Sequence, residues 1–164
     1  MVLLVSILIS VFFAPMETNA YEFNDYKLDN PDDIRFSVST IAMQFYPLFV
    51  NGLDAWENYC SQIGVSNVSG NNIYFYSETS VDNETYAVCR HYDDNTHRIT
   101  VYKSFMELSA VNRNETIVHE IGHALGLAHC ETSKNNVSVM RETGFNGKAY
   151  PLSDDIQGIN ALYG

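Results

Sequence analysis

From Ile34 to Val38 apolar and polar residues alternate, the pattern of a strand with one buried face. The rhythm then changes. Between Ile41 and Tyr59, Ala42, Phe45, Phe49, Leu53 and Trp56 recur at three- and four-residue steps, which predicts an amphipathic helix behind the capping residues Ser39 and Thr40. Pro47 and Gly52 interrupt its regularity. Beyond Asn71 and Asn72, the runs 73–76, 86–90 and 98–102 are rich in β-branched and aromatic residues. They predict strands joined by Asp- and Asn-rich turns. A long helix follows, with Asn112 and Glu115 spaced as a variant capping box. A last helix is expected to start at Ser153, with Asp154 and Asp155 at its positive end.

The long helix carries the sequence HEIGHALGLAHC, residues 119 to 130. At ~100° per residue, His123 lies about 40° round from His119, whereas Ile117, Ile121, Ala124 and Leu125 fall at roughly 140° to 240°. The histidines therefore face away from the apolar stripe. Two imidazoles at i and i+4 project from one helical face and can converge on one ion. Gly126 permits a left-handed turn that ends the helix, and His129 returns as a third ligand. Three neutral imidazoles leave one position of a tetrahedral zinc open for water, the catalytic arrangement and not the closed structural one. Glu120 follows the first histidine on an adjoining face, where a carboxylate reaches the water without ligating the metal. It can take a proton during attack and return it to the leaving group.

HEIGHALGLAH resembles the H-E-x-x-H-x-x-G-x-x-H motif of the metzincin metallopeptidases, and the segment from Leu152 to Gly164 looks like the closing helix of their matrixin branch. The likeness is sharp over residues 115–130 and 152–164. It implies an α+β catalytic domain, with a twisted mixed sheet packed on two helices and a C-terminal helix closing the lower side. It also implies a methionine turn beneath the three ligands, for which Met140, eleven residues past His129, is the candidate. Matrixins often have Pro and Tyr after that methionine, where this chain has Arg141 and Glu142. The pocket for the residue after the scissile bond is thus expected to be walled by residues 143–150. Matrixins hold a new amino terminus with an aspartate of the last helix, so a cleaved Tyr21 could pair with Asp154 or Asp155, although helix capping alone accounts for both aspartates. Two features of the family are not matched. One is the cysteine-switch segment. The other is the His- and Asp-rich segment for structural zinc and calcium, so that His91 and His97 read as exposed strand-end residues and Asp93-Asp94 as a solvated turn in preference to a weak Ca2+ site.

Composition adds a compartment. The run from Val2 to Ala14 ends at Pro15, and small residues precede a break after Ala20. It is shorter than the ~20 apolar residues of a membrane span and fits a secretory signal peptide. Residues 1–20 are expected to be that signal and residues 21–164 the catalytic domain, secreted, without stable membrane insertion. Lys+Arg 9 against Asp+Glu 20, a net charge of -11, excludes a nucleic-acid partner, because phosphates need clustered bases. Asn67, Asn83, Asn114 and Asn136 each open an N-x-S/T sequon that can carry a glycan. Three cysteines in an oxidising compartment imply one disulfide and a leftover thiol, or an intermolecular bridge, and the sequence does not say which two pair. For Cys130 the alternatives are a disulfide to Cys60 or Cys89 and a redox-sensitive thiol near the metal.

These readings converge on a secreted, monomeric zinc endopeptidase acting on extended polypeptides, with the 86–90 strand as the sheet edge that pairs with substrate. The competing expectation is a secreted zinc-binding module that descends from a peptidase and does not hydrolyse.

Overall fold

The computed structural model describes residues 21–66, 68–80, 84–92 and 95–164. Their alternating segments form a four-stranded sheet of β1 (Phe36–Val38), β2 (Ile73–Glu78), β3 (Ala87–Tyr92) and β4 (Thr96–Tyr102), in the spatial order β1-β2-β4-β3. β1 and β4 run parallel to β2, and β3 is antiparallel to β4, so the sheet is mixed. β1 is shorter than the alternation predicted, because Ile34 pairs separately with Val65 as an isolated bridge.

The predicted 41–59 helix divides in two. Thr40–Phe45 is a 3-10 turn, and α1 runs from Tyr46 to Tyr59 with Pro47 in its first turn. A proline has no N–H to offer and its ring collides with the carbonyl four residues back, so it is tolerated where a helix starts and not in its interior. Past that point the periodicity holds: Phe49, Gly52, Leu53 and Trp56 are the buried face of α1. A short α2, Lys103–Glu107, follows β4 directly. Only Phe105 in it is buried, and one buried residue in five gives no periodic signal.

α1 and α3 (Ala110–Ala124) lie against the sheet. Phe49 of α1 stacks on Phe75 of β2 with centroids 4.2 Å apart, and the Trp56 indole donates to Val118 O of α3 at 2.9 Å. Fully burying each such ring contributes about 1.5–3 kcal/mol, more than one helix cap, so the seam between sheet and helices dominates the stability. α4 (Ser153–Tyr163) closes the lower side, with Tyr163 Oη donating to Leu125 O at 2.8 Å. Ser153 is its first residue and makes no cap. Instead the Asp155 carboxylate accepts from Leu152 N at 2.7 Å, Val139 N at 2.8 Å and Ser138 Oγ at 2.5 Å, tying α4 to the loop before Met140.

The expected disulfide does not form: Cys60, Cys89 and Cys130 are all free. Each belongs to a different element. Cys60 ends α1 inside the core, Cys89 lies on β3, and the Cys130 thiol is directed at Asn135 Oδ1, 3.8 Å away. Burial pushes the Cys60 thiol up to about 12 and raises those of Cys89 and Cys130, so all three keep their protons.

Candidate metal centre

α3 starts three residues earlier than the capping box implied. Ser109 is the N-cap, its Oγ accepting from Asn112 N at 3.2 Å. Glu115 takes no part in that cap. Its buried carboxylate pairs with the Arg141 guanidinium and accepts from Asn146 N at 3.0 Å and Gly147 N at 2.8 Å. One turn further along, α3 presents His119, Glu120 and His123 to the cleft beneath β3. The helix ends at Ala124, and Gly126 adopts φ 98, the left-handed turn that sends the chain back to His129.

The ligand atoms of His119, His123 and His129 all lie within 4.8 Å of one another. Val139 O stands 2.9 Å from His119 Nδ1, and Leu127 O 2.8 Å from His123 Nδ1. A carbonyl can only accept, so both Nδ1 atoms carry the proton and both Nε2 lone pairs are left for the cluster. His123 Nε2 and His129 Nε2 face each other at 3.2 Å. Two nitrogens at ~2.05 Å from a tetrahedral zinc would be about 3.3 Å apart, so the donor set fits that ion with one position left open. Burial pushes His119 down to about 3 and His123 down to about 4, which keeps both imidazoles in the neutral form that ligates.

The turn carrying these ligands is braced by the amino-terminal segment. Asn24 N donates to Gly126 O at 2.8 Å, Ala128 N donates to Glu22 O at 2.8 Å, and Asn24 Nδ2 donates to Leu127 O at 2.9 Å. Leu127 O thus accepts from both Asn24 and His123. Sequence reasoning missed Asn24, since nothing local marks an asparagine that meets its partner 103 residues away.

Glu120 is 6 % exposed and borders the same cavity as the histidines. Burial raises its carboxyl to about 7, an effect opposed by the Cys89 amide of β3, which hydrogen-bonds to it. Met140, the candidate for the methionine turn, packs under α3. It is buried, its sulfur rests against Gly122 of α3 where any Cβ would displace it, and its carbonyl accepts from Cys130 N at 2.7 Å. The cleft wall comes from Arg141 to Phe145, of which Thr143, Gly144 and Phe145 belong to the predicted 143–150 segment. Opposite it runs β3, at the edge of the described sheet, as the sequence led us to expect.

Other expectations fare differently. His91 and His97 are not exposed strand ends: they oppose each other in the β3–β4 register, and Tyr26 covers them, stacking on His91 at 4.2 Å. His97 is fully buried because that register turns it to the core face. Asp93 and Asp94, the weak Ca2+ reading, lie outside the described residues, as do residues 1–20 and the sequons at Asn67 and Asn83. Asn136 is exposed on a turn, whereas Asn114 is half-buried in α3 and its side-chain nitrogen donates to Ala110 O at 2.9 Å. Tyr21 borders a small hollow with Asp154 and Asp155, and Asp155 is already held by its three donors.

No curated protein matches the chain in sequence. Among solved structures, the GM1-bound form of the ECX AB5 holotoxin is similar, with 16% identity, a TM-score of 0.60, and coverage of 88% of this chain and 85% of that one. At that identity the likeness is one of fold. The helix bearing His119, Glu120 and His123, the turn returning His129, the loop holding Met140 and the closing helix all fall within residues 66–164, the stretch that matches the Matrixin family, and the chain belongs to that peptidase family.

Proposed function

We propose that the protein is a secreted zinc endopeptidase that hydrolyses peptide bonds of extended extracellular polypeptides, with residues 1–20 as its signal peptide and 21–164 as its catalytic domain. The observation that carries this reading is the convergence of three imidazoles, two of them fixed at Nδ1 by backbone carbonyls, beside a buried carboxylate. His119, His123 and His129 would hold the ion. When bound, zinc supplies Lewis acidity that polarises the scissile carbonyl and makes a water molecule more acidic. Glu120 takes the proton released in attack and delivers it to the leaving amine. A carboxyl raised towards 7 exchanges a proton in both directions near neutrality.

The free edge of β3 pairs with an extended substrate backbone, which gives affinity with little dependence on sequence. Because the Cys89 amide also holds Glu120, the strand that binds substrate orients the proton carrier. The net charge of -11 favours a polypeptide over a nucleic acid, and the domain acts as a monomer. Among the described residues no helix is long and apolar enough to cross a membrane.

Cleavage of a panel of denatured proteins by the wild type and by Glu120→Ala tests the reading. The variant should lose on the order of 10²- to 10⁴-fold in rate, and a zinc chelator should abolish wild-type cleavage. Equal rates would leave a zinc-binding module without hydrolysis as the function of the domain.

A further inference from the structure

The cleft is a single cavity of about 530 Å3 that takes in the histidines and Glu120 and runs between β3 and the Arg141–Phe145 wall. Arg141 is the one Lys or Arg among the described residues that line it. Its charge is already met by buried Glu115, with Asn135 O at 3.2 Å and Gly144 O at 3.5 Å as further acceptors. Besides Glu115 and Glu120, the carboxylates Glu84 and Glu142 line the cavity. Both are exposed and neither enters an ion pair among the described residues.

Two exposed rings line the same cavity. Tyr86, two residues after Glu84, is 40% exposed, and Phe145, three residues after Glu142, is 36% exposed. Their centroids are 5.7 Å apart and the planes tilt by 38°, so a ring beside the strand meets a ring of the wall. Aromatic faces attract a cation within ~6 Å. The aliphatic stem of Lys or Arg packs along apolar surface while its head stays near water and carboxylates. An acidic side chain there would meet two like charges, and an aliphatic one would gain the rings and nothing from the carboxylates.

We propose that this end of the cleft receives a lysine or arginine side chain of the substrate, its stem against Tyr86 and Phe145 and its charge at Glu84 and Glu142, which makes cationic polypeptides the substrate class. This rests on the peptidase reading of the cleft. The chain's net charge of -11 adds a longer-range attraction for such substrates.

The test uses full-length, zinc-loaded Glu120→Ala protein, which binds without cutting, and a set of fluorescent decapeptides identical except for one Lys, Arg, Leu or Glu scanned along the sequence. At the best register, Lys and Arg peptides should bind about tenfold more tightly than Leu and still more tightly than Glu. The margin should shrink as salt rises. Adding Glu84→Gln and Glu142→Gln should bring Lys and Leu peptides to within about twofold, and Tyr86→Ala with Phe145→Ala should weaken Lys and Arg binding several-fold. Leu peptides binding as tightly as Lys ones, or a Lys preference that survives the two Gln changes, would overturn the proposal. The same peptides are then given to the unaltered enzyme. Cationic binding without cleavage supports the cation site and sinks the peptidase reading, whereas cleavage indifferent to charge overturns the cation site and leaves the peptidase standing.

Discussion

Glu115 holds three pieces of the cleft together. It sits one turn before His119 on α3, pairs with Arg141 next to Met140, and accepts the amides of Asn146 and Gly147 beyond the cavity wall. Both charges are buried, Glu115 at 2% exposure and Arg141 at 6%. Removing one member of such a pair strands the other in a low-dielectric interior, which costs about 3–5 kcal/mol. Glu115→Ala should therefore lower the unfolding free energy by that amount in urea titration, while an exposed control such as Glu142→Ala changes it by less than about 0.5 kcal/mol. Similar losses for both would show that the pair is not holding the wall. The cluster of His119, His123 and His129 and the neighbouring Met140 were legible at this scale because they sit near one another in sequence, on one helix, one turn and one loop. Glu115 was misread as a capping residue because its real partner, Arg141, is 26 positions away.

α3 is the element on which the chemistry stands, and its start is set by a single hydroxyl. Ser109 Oγ accepts from Asn112 N, and an N-cap serine of this kind is worth about 1 kcal/mol against alanine. Ser109→Ala should show that loss by thermal or urea unfolding, and Asn112→Ala should show less. A larger loss at Asn112 would restore the cap that the spacing first indicated. Periodicity found α1, α3 and the first strand, and runs of β-branched and aromatic residues found the other three. It overran at Pro47, where the interior of the predicted helix became the start of a real one. It also passed over α2, whose single buried residue, Phe105, has no period. The edge position of β3 was read correctly, and its place opposite the Arg141–Phe145 wall is what turns a groove into a cleft.

Across the whole molecule, the fold buries a histidine it does not satisfy. His97 is fully enclosed, neither ring nitrogen has a hydrogen-bond partner among the described residues, and His91 and Tyr26 pack around it. Burial, reinforced by His91, pushes its pKa from 6.5 down to about 4. The unfolded chain takes up a proton near 6.5 and the native state resists until about 4, so the unfolded state binds more protons in that window. Above 6.5 the ring is neutral in both states and stability is complete. Stability falls as pH drops from 6.5 towards 4. Urea midpoints of the wild type and His97→Leu, each in saturating zinc, should diverge across this window, with the variant less sensitive to acid. Parallel pH profiles would assign the acid sensitivity to other groups.

The sequence by itself determined the elements, the acidic charge and the three-histidine spacing, because helical periodicity, composition and i, i+4 geometry are properties of neighbouring residues. Only the tertiary structure decided that Asn24 braces the carbonyl that orients His123, that Arg141 neutralises Glu115, and that three cysteines stay apart. It alone turned His97 inward, and it alone brought the Tyr86 and Phe145 rings together at the cleft. Those contacts join residues from distant parts of the chain, and their chemistry is fixed by how the layers pack and not by any local pattern.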